Sequence, residues 1–221
     1  MIIDYLSSNF NFLESNDTKN EIEDLFTTQN KEDKLIFIPK NDAQQAQILQ
    51  GWLVPSFNSP LSPNYSILNN ILGAQGLSSR LFVNLRDKQG LAYTVRSQYE
   101  TLLHSAIFDL YIGTAPININ KSLLGFEDEL QKLADKAPLN EELIGARENI
   151  KGRLKYFSQN NSQICSIQGY NYTMGLGLDY NEKFLSKLDK VTAEDVSNTA
   201  KNLLQTPKLT VIIAPEEYRI E

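Results

Sequence analysis

Cysteine and histidine are almost absent from this chain of 221 residues, which has Cys165, His104 and no others of either type. A single cysteine excludes a disulfide framework, and the same scarcity excludes a zinc ribbon or finger. A catalytic zinc site takes about three protein ligands, usually rich in histidine, and this chain cannot supply two histidines. A Ser-His-Asp triad would have to use His104, and a Cys-His pair would have to join Cys165 to it. Composition therefore argues against most hydrolytic chemistry acting from this chain by itself. Long apolar runs are missing too. No segment approaches the roughly 18 consecutive apolar residues of a membrane-spanning helix. Met1-Ile2-Ile3-Asp4-Tyr5 has neither the basic nor the apolar region of a secretory signal. The expectation is a reduced cytoplasmic setting, with export directed by a segment further upstream left open. Basic charge is also short: Lys plus Arg is 21 against 27 for Asp plus Glu, a net charge of −6 with no basic run. Neither nucleic acid nor a membrane is an expected partner.

What remains is ordinary globular material, 41% hydrophobic and 22% charged. The length fits one large domain or two small ones, and at this size folding buries roughly 70% of the unfolded chain's surface without staples. Residues 1–34 are polar and read as an arm or connecting segment, with helical periodicity only around Ile22 to Phe26. Leu35-Ile36-Phe37-Ile38-Pro39 is a short apolar run closed by proline, a strand. Ala46, Ile48, Trp52 and Val54 fall on alternate positions, a second strand. Leu61, Tyr65, Leu68 and Leu72 line one face of a helix, which Gly73-Ala74-Gln75-Gly76 breaks. Ser78 to Lys88 reads as another helix, stopped at Gly90.

Two runs rich in Tyr, Val, Ile and Phe follow, Leu91 to Thr101 and Ala106 to Thr114, joined at Leu103-His104-Ser105 into an antiparallel hairpin. Helical spacing then takes over at Ile119, Leu123, Phe126, Leu130 and Leu133. It returns at Leu143, Ile150, Leu154 and Phe157 with Asn140 as the expected N-cap, and again from about Gln163 to Met174. Thr192-Ala193-Glu194-Asp195 resembles a capping box opening a helix to Leu204, and Leu209 to Pro215 is a last strand. Strands and helices do not alternate strictly. The expected class is α+β, a mainly antiparallel sheet with helices packed on it.

Few residues suggest chemistry. Gly73 and Gly76 evoke a phosphate loop, but Leu77-Ser78-Ser79-Arg80 follows where a P-loop needs Lys and Ser or Thr; a turn is the simpler reading. His104 reads as a solvated loop residue, and Cys165 as a small buried apolar one. Glu127-Asp128-Glu129 reads as a solvated face. Glu141-Glu142 suits the first turn of a helix, where negative charge favours the dipole. Arg86 and Tyr93 differ. They lie seven residues apart, one near a helix end and one early in a strand, and a turn at Gln89-Gly90 could bring them to one spot. A guanidinium and a phenol together can hold a peptide carbonyl or a developing oxyanion. The alternative is that Arg86 pairs with an acid such as Asp87 while Tyr93 packs in the sheet.

The stretch Leu72-Gly73-Ala74-Gln75-Gly76-Leu77-Ser78-Ser79-Arg80-Leu81-Phe82, running into Leu85-Arg86-Asp87-Lys88-Gln89-Gly90-Leu91-Ala92-Tyr93-Thr94-Val95, resembles the C-terminal domain of the M16 peptidase family of insulinase and the mitochondrial processing peptidase. The likeness extends to Gln47 to Pro55, Lys121 to Leu133, Leu139 to Leu143 and Val191 to Val196, covering roughly residues 35–215 as one M16 C-terminal-type domain over residues 35–221. In that family paired domains enclose a chamber, and the first carries an inverted zinc motif, His-x-x-Glu-His. The second lends an Arg and a Tyr to the substrate, which the resemblance maps onto Arg86 and Tyr93, while Gly73 and Gly76 would turn the chain or line the chamber. One histidine cannot make that motif. The resemblance thus implies a non-catalytic, substrate-binding half, with zinc on a partner domain or subunit and a peptide or protein as substrate. A face meant for a partner leaves room for a homodimer of the isolated chain. The alternative is an M16-like scaffold with no proteolytic role.

Overall fold

The computed structural model describes residues 32–102 and 105–220. The segment around Ile22 to Phe26, nearly all of the expected arm, and Leu103 and His104 at the expected hairpin tip lie outside them. Five strands form one sheet: β1 (Lys34–Pro39), β2 (Ala46–Val54), β3 (Ala92–Thr101), β4 (Ala106–Thr114) and β5 (Lys208–Ala214), in the order β1-β5-β2-β4-β3. Every neighbouring pair is antiparallel except β1 with β5, where Phe37 stands opposite Ile212 in a parallel register. The expected mixed class, mainly antiparallel with helices, is what the chain adopts. β3 and β4 form the expected antiparallel pair, with Tyr99 opposite Phe108.

Alternation of side chains assigns the two faces. One carries Ile48, Trp52, Phe108, Leu110, Ile112 and Ile212 into the core. The helices cover it: α1 (Ser62–Asn69), α2 (Ile119–Asp135), α3 (Asn140–Tyr156), α4 (Asn161–Thr173), α5 (Tyr180–Leu188) and α6 (Ala193–Gln205). Ile67 and Leu68 of α1, Phe126 and Leu130 of α2, and Val196, Ala200 and Leu203 of α6 join the same cluster. Fully burying such a side chain contributes about 1.5–3 kcal/mol, and these rows hold the helices to the sheet. The other face is open. Leu49, Leu53 and Ile107 remain exposed there beside a hollow of about 430 Å³ that Asp109, Leu209 and Val211 also line.

Several expectations need correction. Helix α1 runs on as a π-helical turn, Asn70–Ala74, and ends within the expected Gly73-Ala74-Gln75-Gly76 stretch, where Gly76 has a φ of +74°. The N-cap of α3 is Leu139, not Asn140. The sequence pattern does not signal helix α5, because its apolar residues Phe184, Leu185 and Leu188 span little more than one turn. Cys165 is exposed, since α4 fully buries only Asn171 and turns most of its residues to solvent. Glu129 is 5% exposed rather than solvated. The box opening α6 is as expected: Asp195 N donates to Thr192 Oγ1 at 3.1 Å and Thr192 N donates to Asp195 Oδ2 at 2.8 Å. No helix among the described residues is long and apolar enough to cross a membrane.

Candidate functional site

The site begins where helix and strand touch without side chains between them. Gly73 sits so close to β3 that an added Cβ would lie 2.1 Å from Ser97 N and 2.8 Å from the Arg96 carbonyl carbon. Only glycine fits. Ser97 Oγ, at 2.6 Å from Asn69 Oδ1 and 3.0 Å from the Asn69 carbonyl oxygen, donates across the same seam. Gly76 then turns the chain, and Ser79 Oγ donates to its carbonyl at 2.7 Å.

Arg80 anchors the next segment. Its Nε and Nη2 donate to Glu142 Oε1 and Oε2 at 2.7 and 2.8 Å, a bidentate pair. Glu142 Oε2 also accepts from Leu139 N at 2.9 Å at the start of α3. Burial pushes the Glu142 carboxyl up, but Arg80 and the Leu139 N–H outweigh it and hold it below the usual range. Glu142 thus carries a structural duty, in keeping with its place in the first helical turn.

The segment Phe82–Lys88 is a second π-helical stretch. Leu85 is fully buried against Gly125 of α2, where a Cβ would lie 3.0 Å from Leu85 Cγ. Asn84 Nδ2 donates to the buried Glu129 at 2.5 Å, and Lys132 Nζ donates to the same oxygen at 2.7 Å. That contact is why Glu129 is not solvated. Gly90, with φ +61°, reverses the chain, and Leu91 N donates to the Leu85 carbonyl at 2.8 Å as it returns to the sheet.

This return brings Arg86 and Tyr93 together. The Arg86 Cζ lies 4.7 Å from the Tyr93 ring centroid and 4.4 Å from that of Phe82. Each such contact contributes about 0.5–1 kcal/mol at an exposed site. Arg86 has no carboxylate partner among the described residues, so the expected alternative, a pair with Asp87, does not form. The ladder with β4 jumps from Ala92 opposite Thr114 to Thr94 opposite Gly113. Tyr93 is the extra residue of a β-bulge, a device that re-aims a side chain. It is 79% exposed.

Both residues open onto a groove of about 630 Å³ that Gly73 and Gly76 also line. Six consecutive residues of β3, Thr94 to Tyr99, line it as well. Successive strand residues face opposite ways, so a groove that touches all six follows the backbone edge. Among the described residues no strand pairs with that edge, because β3 ends the sheet beside β4. Tyr99 is no base: burial pushes its phenol up to about 12, and its hydroxyl donates to the Pro55 carbonyl at 2.8 Å. Sequence reasoning missed Phe82, although its i,i+4 spacing to Arg86 was a usable signal. It also missed Arg153, which reaches the groove from α3 with no local signal at all. Among the described residues no cluster of three His, Cys, Asp or Glu could hold a metal ion.

Comparison with known proteins places this geometry in context. A family model described as "Peptidase M16 inactive domain" matches residues 1–150. An uncharacterized zinc protease of Rickettsia felis is 26% identical over 208 residues, covering 89% of this chain and 50% of its own length. One of Bacillus subtilis is 26% identical over 177 residues, 80% of this chain and 43% of its own. The chain thus spans about half the length of the curated relatives it matches. Among solved structures, a peptidase M16 inactive domain from Pseudomonas fluorescens superposes with a TM-score of 0.75 at 23% identity, over 83% of this chain and 44% of that one. A protease from Helicobacter pylori gives 0.77 at 20%, over 85% and 45%.

Proposed function

This chain belongs to the peptidase M16 family as a domain of its inactive type, and from that premise we propose that it is the substrate-binding half of a zinc metalloendopeptidase. The partner half, on a separate subunit or a longer chain, carries His-x-x-Glu-His, the zinc and the general base. Among the described residues no group of His, Cys, Asp and Glu fits a metal ion, and in this reading the half contributes binding. Residues 1–34 connect to the partner half, and residues 35–221 form the domain. The free, exposed Cys165 suits a reducing compartment such as the cytoplasm.

The observation that carries this reading is the placement of Arg86 and Tyr93 at the mouth of a groove along a free strand edge. An extended peptide can add to such an edge through main-chain hydrogen bonds. The rings of Phe82 and Tyr93 restrain the guanidinium before substrate arrives, while its in-plane N–H donors and the Tyr93 hydroxyl can reach a substrate carbonyl. Donors held in place in advance stabilise developing negative charge without reorganisation. A scaffold needs neither the ring-held arginine nor the open edge. The exposed aliphatic sheet face around Leu49, Leu53 and Ile107 is a surface for the partner half, and alone it leaves the chain prone to pair with a second copy.

The test is a reconstituted complex with a domain carrying the zinc motif. Arg86→Ala or Tyr93→Phe is expected to lower kcat/KM by about 10²–10³ while circular dichroism stays unchanged. Unaltered kcat/KM in a complex shown to be assembled refutes the assignment.

A further inference from the structure

Resting on the reading of the groove as a peptide site, we propose that it selects extended peptides carrying a carboxylate beside an apolar side chain. The first observation is a charge asymmetry. The chain has a net charge of −6, yet among the described residues no Asp or Glu lines the groove, while Arg86, Arg96 and Arg153 do. Some basic side chains elsewhere are engaged. Arg80 is held bidentate by Glu142, Lys151 pairs with Glu148 and Asp189, and Arg219 pairs with Glu216. Arg96 packs over the Tyr111 ring at 4.6 Å and feels Asp109. Arg86 and Arg153 have no carboxylate partner among the described residues. Two unneutralised guanidiniums in a groove of an acidic protein are complementary to an anionic ligand.

The second observation is the annex. A hollow of about 380 Å³ adjoins the groove and shares Asn69, Ala74, Tyr99 and Arg153 with it. Its remaining walls include Ile150, Leu154 and the half-exposed Phe157. Arg153 thus stands where the groove meets the apolar wall of Ile150, Leu154 and Phe157. A peptide added along β3 points alternate side chains the same way. It can therefore set a carboxylate at Arg153 and an apolar group in the annex.

The experiment uses this chain and three labelled decapeptides, identical except for Glu, Gln or Lys at the positions i−2 and i+2 from a leucine, on its face of the strand, with binding read by fluorescence anisotropy at about 50 mM salt. The Glu peptide is expected to bind about tenfold tighter than the Lys peptide, with Gln between, and the order is expected to compress at about 0.5 M salt. Arg153→Gln is expected to weaken the Glu peptide about threefold and leave the Gln peptide within about twofold. Replacing the leucine by serine is expected to weaken all three. If the Gln peptide binds and Glu and Lys bind alike, or Lys binds tighter, acid selection is overturned while the groove remains a peptide site. If none binds at about 1 mM, both readings fall together.

Discussion

Gly73→Ala is the sharpest probe of how this site is built. The new Cβ would lie 2.1 Å from Ser97 N and 2.6 Å from Ser97 Oγ, against ordinary contacts that begin at 3.4 Å. The helix-to-strand seam would have to open by about 1.3 Å, the difference of those two distances. The obstacle at 2.1 Å is backbone, so no rotamer change relieves it. Overpacking of this kind costs about 1–3 kcal/mol, and stretching the Ser97 Oγ bonds to Asn69 adds about 1 kcal/mol. The expected loss is about 2–4 kcal/mol, read from urea denaturation followed by circular dichroism. Gly152→Ala is the matched control. Gly152 lies inside α3 with nothing within 4 Å of a built Cβ, so alanine there is expected to stabilise by up to about 1 kcal/mol. A Gly73→Ala protein less than about 0.5 kcal/mol weaker than the parent would refute the close approach. Equal losses at both glycines would refute the argument from contact.

Two further predictions follow from carboxylates. Glu142→Gln strips Arg80 of its partner and is expected to cost about 1–2 kcal/mol at pH 7. Because the Glu142 carboxyl sits below its ordinary 4.5 when folded, its contribution is present above that pH and is lost as pH falls through the folded value. Parent and variant melting temperatures should therefore converge in acid; a constant gap down to low pH would refute the pairing. Asp109 has the opposite sign. Burial raises its carboxyl above the ordinary 3.8, Arg96 opposes and Glu100 adds. Its ionised form thus costs stability above the folded value, and the cost vanishes below 3.8. Asp109→Asn is expected to raise the melting temperature at pH 7 and to lose that advantage in acid; a lower melting temperature at pH 7 would refute this account.

What the sequence revealed follows from which signals are local. The hairpin of β3 and β4 and the Thr192–Asp195 box are written in consecutive residues, and both are present. The parallel pairing of β1 with β5 joins Lys34 to Leu209 across most of the chain, and no local pattern encodes it. Helix α4 carries Ile164, Tyr170 and Tyr172 at exposed positions, so a rule that sends apolar residues and cysteine inward misplaces Cys165. Glu129 looked solvated beside Glu127 and Asp128, because its partner Asn84 lies 45 residues away in sequence. At the site, the seven-residue spacing of Arg86 and Tyr93 and the Gly90 turn were legible. The bulge that turns Tyr93 outward was not, since it depends on the register with Gly113 and Thr114.

The irregularities of this fold are not scattered. The described strands pair in regular ladders except between Ala92 and Thr94. The described helical segments wider than an α-helix are Asn70–Ala74 and Phe82–Lys88. All three departures border the groove that holds Arg86 and Tyr93. Wide turns and bulges sacrifice regular hydrogen bonding, so they persist where the surrounding structure compensates for them. Here the compensation is visible: the Arg80–Glu142 pair, the buried Glu129 contact with Asn84, and the Gly73 seam each brace one side of the site. A domain kept only as scaffold gains nothing from bracing three defects around one exposed tyrosine and one unpaired arginine. A domain that must present those two groups to a peptide along β3 gains their position, and that difference favours binding over scaffolding.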